Sequence, residues 1–342
     1  EPHPDDARFS DPVWKDAATW DIVKEWYLAF THRLEDMLYE TPGFSEKERS
    51  RAAFWFRKWL NAMAPTNFFW LNPVAMQRCI DTQGQSIIEG MKAFVRDAQA
   101  KNILMVEPDA FVVGKDLATT PGKVVFRNHL LEVIHYAPTT DRVRAMPIVI
   151  TTPWINKFYI LDLTAKKSMV KHLVDQGFSV FITSWKNPTA AMAETCFDDY
   201  LTDGVNEAVR VACEFCKAPK VHLVGYCIGG TLLASTLAYM ASKRDSRIKA
   251  ATFMTTLLDF SDIGELEVFV DEQQMEQLEA HMAKKGYLEG HHMADVFNLL
   301  RENDLVWSFV VNNYLMGREP MPFDLLYWNS DSTRMPAAMH SF

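Results

Sequence analysis

The sequence predicts an α/β fold, a mostly parallel sheet flanked by helices and preceded by a helical region. Three observations carry that expectation. From about residue 120, short apolar runs alternate with helix-length segments. The first hundred residues keep a helical period instead. One apolar run leads through a Gly-x-Cys-x-Gly turn directly into a helix.

In the helical region, Trp20, Val23, Tyr27, Phe30, Leu34 and Met37 recur at steps of three and four, on one helical face. Ser45 followed by Glu48 fits a capping box that opens a second helix through Phe54, Phe56, Trp59 and Met63. Asn72-Pro73 supplies an N-cap and first-turn proline for a third, carrying Cys79, Ile87, Met91 and Phe94. The clusters Phe54-Trp55-Phe56 and Phe68-Phe69-Trp70 read as core formers, with contact to an external hydrophobic surface as the alternative.

Strands are expected at Val124–Phe126, Val133–Tyr136, Ile148–Thr152, Val180–Ser184, Val221–Gly225 and Ala251–Leu258. The first two lie close together and suit an antiparallel edge. Helices are expected near 164–176, 195–217 and 229–243. After Leu258 the alternation stops, and the mixed segment that follows reads as an excursion covering the sheet. The expected organisation is a helical domain over 1–118, an α/β core over 119–260 and an inserted cap over 261–342.

With 342 residues and 48% hydrophobic content, the chain can bury a large core. A formal net charge of −9 without a basic cluster argues against nucleic acid as a partner. No run of about 18 apolar residues marks a membrane span. Five irregularly spaced cysteines make no disulfide framework, which points to a reducing cytoplasm. The acidic opening Glu1-Pro2-His3-Pro4-Asp5-Asp6 has neither an initiator Met nor a signal region, so residues are expected to precede it.

The chemistry concentrates in Val221-His222-Leu223-Val224-Gly225-Tyr226-Cys227-Ile228-Gly229-Gly230. A strand, a tight turn and a helix in that order make a nucleophile elbow, here with cysteine, and so predict an α/β-hydrolase fold. The turn strains the central residue and lifts its side chain above the sheet. Positions two before and two after must be small, which Gly225 and Gly229 satisfy. The helix N-terminus favours a thiolate at Cys227. A buried structural cysteine is the alternative, and the strand–turn–helix context weighs against it. Cysteine also favours acyl transfer over hydrolysis, because exchange between two thioesters is nearly balanced.

The oxyanion hole of such a fold uses the N–H after the nucleophile, that of Ile228, and one from the loop after the third strand. In Pro153-Trp154-Ile155-Asn156-Lys157 the choice is Ile155, with an ordinary aromatic-rich loop as an equal reading. Asn156 and Tyr226 are the candidate substrate contacts. A base is harder to find. After Cys227 the histidines are His281, His291, His292 and His340, none following a strand with a small-residue turn. His222 lies too far along its own strand. Asp259 follows a strand end, either as an acid or as a loop-starting cap. Cys213 and Cys216 read as structural, with a redox or metal role the lesser alternative, and no metal site is expected.

Several segments together resemble the class I polyhydroxyalkanoate synthases. They include Asp6-Ala7-Arg8-Phe9 with Trp14, Asn61-Ala62-Met63-Ala64-Pro65-Thr66-Asn67-Phe68, Leu117-Ala118-Thr119-Thr120-Pro121-Gly122 and Ile155-Asn156-Lys157-Phe158-Tyr159-Ile160-Leu161-Asp162-Leu163. Further matches are Ser184-Trp185-Lys186-Asn187-Pro188, the elbow through Thr231, Asn303-Asp304-Leu305-Val306-Trp307 and Pro322-Phe323-Asp324-Leu325-Leu326-Tyr327-Trp328-Asn329. The resemblance implies a cytoplasmic, granule-associated enzyme that joins (R)-3-hydroxyacyl units from coenzyme A thioesters into polyester. Cys227 would carry the growing chain, no cofactor would be needed, and the helical first third would serve granule contact and homodimer formation.

The family's aspartate and histidine lie in Asp-His-Ile and Gly-His-Ile segments, expected beyond residue 342 together with the C-terminal strands. The chain thus reads as truncated at both ends. Thr152-Pro153-Trp154 departs from the family's Pro-Pro followed by a smaller residue, which bears on the shape of the acyl pocket. Two other functions stay open: a non-catalytic fragment that binds granules or dimerises, and another cysteine acyltransferase or hydrolase of the same fold.

Overall fold

The computed structural model describes residues 6–341, so the opening Glu1–Asp5 lies outside the described residues. The chain forms two compact units. One comprises Glu1–Glu107, Ile263–Asp271 and Asp295–Met321; the other comprises Pro108–Asp262, Glu272–Ala294 and Pro322–Phe342. Residues after 262, read from the sequence as a single cap, are therefore divided between the two.

The first unit is helical. Helix α1 spans Ala18–Glu40 and α2 spans Glu46–Ala62. The expected capping box is present: Ser45 N–H donates to Glu48 Oε2 at 2.9 Å, and Glu48 N–H returns to Ser45 Oγ at 3.3 Å. Asn72 caps α3, Pro73–Asp81, accepting N–H groups from Val74 and Ala75 at 3.0 and 3.1 Å. The third helix, expected to carry Cys79 through Phe94, is instead two. Gln83 and Gly84 take positive φ, 52° and 86°, and Gly84 N–H closes α3 on the Cys79 carbonyl at 2.8 Å. Helix α4 then runs from Gln85 to Ala100.

The core of this unit is Phe9, Trp14, Tyr27, Leu28 and Ala64. The apolar stripe of α1 is buried at Tyr27, whose hydroxyl donates to the Leu60 carbonyl of α2 at 2.9 Å. Phe30 and Met37, on the same apolar stripe, are exposed. Of the aromatic triplets only Phe54 is buried; Trp55 and Phe68 are exposed and Trp70 is 78% exposed. Core packing therefore accounts for few of these rings. Helix α4 turns small and polar side chains inward: Ser86, Gly90 and Asp97 are buried, and Asp97 accepts the Tyr314 hydroxyl at 2.8 Å. Ile87, Ile88, Met91 and Val95 face outward.

The second unit carries a six-stranded sheet. Its strands are β1 Lys123–Arg127, β2 Leu131–Tyr136, β3 Ile148–Thr151, β4 Val180–Trp185, β5 Val221–Tyr226 and β6 Ile248–Met254. Their order is β1-β2-β4-β3-β5-β6. The β1–β2 and β2–β4 pairs are antiparallel, making the expected antiparallel edge, and the remaining pairs are parallel. Side chains alternate faces along each strand. Val149 and Leu223 enter one apolar cluster; Ile148, Ile150 and Val224 enter the cluster on the other face, with Val170 and Val174.

The sheet's helices are α5 Met169–Asp175, α6 Glu207–Cys216 and α7 Ile228–Ser242. Helix α6 is entered through a π-helical run, Tyr200–Asn206. Strand β6 ends at Met254, short of the expected Leu258, because Thr255 takes a positive φ of 47° and turns the chain. Beyond residue 258, Tyr287–Leu288 pairs with Met335–Pro336, and neither joins the main sheet. Met282, Leu288, Met335 and Met339 instead pack into the cluster containing Val149 and Leu223, so this part of the excursion does cover the sheet.

Candidate active site

Parallel pairing of β3 with β5 sets Thr151 beside Gly225, so the ends of two central strands meet where α7 begins. Cys227 sits between β5 and α7 with φ 54° and ψ −131°, a conformation L-residues rarely adopt. Its N–H donates to the Met254 carbonyl at 2.9 Å, and its carbonyl accepts Gly230 N–H at 2.9 Å. The turn is thereby tied to β6 on one side and to α7 on the other, and the thiol is left exposed.

The flanking glycines are required sterically. A Cβ on Gly225 would lie 2.5 Å from Gly230 Cα, and one on Gly229 would lie 2.5 Å from the Thr151 oxygen. Sequence reasoning missed a third such position. A Cβ on Gly230 would lie 2.0 Å from Thr256 Oγ1. The Gly229-Gly230 doublet was its only signal.

Ile228 is the first residue of α7, at the end where helix N–H groups point outward. The loop holding the second candidate donor is fixed at its root. Thr152 N–H donates to Thr183 Oγ1 at 3.0 Å, Thr152 Oγ1 donates to the Thr183 carbonyl at 2.7 Å, and the Trp185 indole donates to the Thr152 carbonyl at 2.8 Å. Trp154 is buried against Trp185, Phe197 and Tyr200. The Ile155 carbonyl accepts Thr333 N–H at 2.8 Å. None of these partners was visible in local spacing.

The two candidate substrate contacts differ in surroundings. The Asn156 amide donates to the Asn329 and Trp328 carbonyls at 3.3 and 3.5 Å, so it braces the loop against the later segment. Tyr226 is half-buried against Ile150, Ile182 and their neighbours, and burial first, then the adjacent Cys227, raises its phenol pKa.

His222 pairs with Ile148 and Ala250 along β5, about 16 Å of strand from Cys227. Asp259 accepts Ser261 N–H at 2.9 Å, the arrangement of a loop-starting cap, and that hydrogen bond lowers its pKa. Cys213 and Cys216 pack against the core; burial raises the Cys213 thiol pKa, and Cys216 Sγ lies 3.4 Å from Ser179 Oγ. Among the described residues no group of three or more His, Cys, Asp and Glu side chains is arranged to hold a metal ion. Nor is any described helix long and apolar enough to cross a membrane.

A mostly parallel sheet whose fifth strand leads through Gly-Tyr-Cys-Ile-Gly into a helix defines an α/β-hydrolase-type fold with cysteine at the elbow. The chain matches the α/β hydrolase fold family over residues 158–341, and the family described as Poly-beta-hydroxybutyrate polymerase (PhaC) N-terminus over residues 5–173. It is 45% identical to the Poly(3-hydroxyalkanoate) polymerase of Methylorubrum extorquens, over 100% of this chain and 57% of that protein. It is 42% identical to the Poly(3-hydroxyalkanoate) polymerase subunit PhaC of Rhizobium meliloti (strain 1021), over 98% of this chain and 56% of that protein. The chain belongs to the poly(3-hydroxyalkanoate) polymerase family within the α/β-hydrolase fold. It spans a little over half the length of these curated relatives. A solved structure, bromoperoxidase from Bacillus anthracis, aligns with 64% of this chain and 75% of its own at 16% identity and a TM-score of 0.35.

Proposed function

We propose that Cys227 is the nucleophile of a hydroxyacyl transfer that builds polyester from (R)-3-hydroxyacyl-CoA. The observation that carries this reading is the exposed thiol at φ 54°, held on a strand–helix turn in a chain of this family. The Cys227 sulfur attacks the thioester carbonyl carbon, the bond to the coenzyme A sulfur breaks, and coenzyme A leaves as its thiol after taking a proton. One thioester replaces another, so the acyl group stays activated. A hydroxyl at a chain end then attacks the Cys227 thioester, forming an oxygen ester and freeing the thiol. Ile228 and Ile155 N–H groups stabilise the oxyanion formed in each step. Asn156 and Tyr226 border the acyl group.

Neither an Asp-His-Ile nor a Gly-His-Ile segment occurs within the 342 residues. The test therefore uses the full-length gene product with 3-hydroxybutyryl-CoA. Coenzyme A is released, and the peptide containing Cys227 gains the hydroxyacyl mass. Cys227→Ala shows neither, and undiminished release by that variant would refute the assignment.

A second reading concerns the 342-residue chain by itself, as a granule-binding or dimerising module without turnover. The outward face of α4, Ile87, Ile88, Met91 and Val95, favours it, because an apolar surface of this kind suits contact with an aliphatic polyester. The purified 342-residue chain is then expected to bind isolated polyester granules and release no coenzyme A. Sustained polymer synthesis by it would refute this second reading.

A further inference from the structure

The carbonyls on either side of the Ile155 nitrogen both end on one residue far along the chain. Thr333 Oγ1 donates to the Trp154 carbonyl. The same hydroxyl lies 2.9 Å from the Ile155 carbonyl, which also accepts Thr333 N–H at 2.8 Å. A hydroxyl carries one proton, so it is shared between the two oxygens while the N–H serves one of them. Thr333 and Trp154 are each only 4% exposed, so water competes little for the Trp154 oxygen.

Two consequences follow for the Ile155 N–H. It shares a planar trans peptide with the Trp154 carbonyl and therefore points the opposite way, so whatever fixes that oxygen also aims the N–H. A carbonyl that accepts a hydrogen bond also polarises its own amide, which strengthens the N–H as a donor. Thr333 is itself held in place. Ser332 bridges Asn156, Arg334 N–H donates to Asn187 Oδ1 at 3.0 Å, and Arg334 Nε donates to Glu289 Oε2 at 3.2 Å. At the other end of the loop, Trp185 and Thr183 hold Thr152.

We propose that Thr333 is a positioning residue of the oxyanion hole, aiming and polarising the Ile155 N–H through its clamp on the Trp154 and Ile155 carbonyls. This rests on the reading of Cys227 as nucleophile and of Ile155 as an oxyanion donor. Thr333 acts through the loop and touches no reacting atom.

The test compares Thr333→Val, nearly isosteric but without the hydroxyl, with Thr333→Ser, which keeps it, in the full-length gene product supplied with 3-hydroxybutyryl-CoA. For the valine variant kcat is expected to fall about 10- to 100-fold with KM changed less than about twofold. Alkylation of Cys227 by iodoacetamide proceeds at the wild-type rate, because displacement at a saturated carbon forms no oxyanion. The serine variant restores kcat. An unchanged kcat in Thr333→Val, a serine variant no better than valine, or slowed alkylation alongside the lost activity would each overturn the proposal. If the valine variant does not fold, Thr333→Ala is read by the same three measurements. Coenzyme A release by Cys227→Ala would instead sink the nucleophile assignment. A silent Cys227→Ala beside an unaffected Thr333→Val sinks the role of Thr333 alone.

Discussion

Cys227→Gly is expected to abolish acyl transfer and at the same time raise the melting temperature. With φ 54° and ψ −131°, Cys227 occupies a conformation that costs an L-residue about 1–3 kcal/mol and glycine almost nothing. Against this stands the extra freedom of glycine in the unfolded chain, about 0.5–1 kcal/mol. A net gain of about 1 kcal/mol remains, which in a chain of this size raises Tm by about 1–2 °C. Cys227→Ala is the control, since it loses the thiol and keeps the strain. Both variants should be inactive, and the difference between their melting temperatures measures the strain at the elbow less glycine's extra freedom in the unfolded chain. If the glycine variant melts at or below the alanine variant, the strain at the elbow is no larger than glycine's extra freedom in the unfolded chain, and the expectation fails.

Gly229→Val is expected to cost at least about 100-fold in kcat although its side chain meets no substrate. A Cβ there would lie 2.5 Å from the Thr151 oxygen, 2.7 Å from Thr152 C and 2.8 Å from the Thr152 oxygen. These are backbone atoms and cannot rotate away. Thr152 cannot retreat either, being tied to Thr183 and Trp185. The start of α7 must therefore move, carrying the Ile228 N–H away from the loop after β3. Overpacking of this kind also destabilises by about 1–3 kcal/mol, readable in a urea titration. Wild-type kcat in Gly229→Ala would show that α7 and β3 do not meet as closely as described.

What the sequence disclosed and what it hid have separate physical causes. The strands of the sheet were legible because their apolar runs are short and bounded by turns, and the elbow because its small residues sit at fixed offsets around Cys227. Both signals are local. The break at Gln83–Gly84 was missed because Ile87, Met91 and Phe94 continue a helical period across it, and periodicity does not sense positive φ. The triplets around Trp55 and Phe69 read as core, and the stripe on α1 as one face, yet periodicity shows only that a face is apolar, not that anything covers it. Residues beyond 262 have no clean period, and their division between two units was correspondingly hidden. Thr333 gave no signal at all. A lone threonine becomes informative only when the fold brings it to the Trp154 and Ile155 carbonyls.

The bond from Cys227 N–H to the Met254 carbonyl has a meaning in time as well as in space. During synthesis the chain emerges from its N-terminus, so Cys227 leaves the ribosome before the residue that anchors it. Its turn cannot be fastened until β6 has been translated and has paired with β5. The loop bearing Ile155 emerges earlier still but waits for Thr333, far downstream. A nascent chain therefore presents the Cys227 thiol before its anchor at Met254 exists, and the elbow is fastened before Thr333 reaches the loop bearing Ile155.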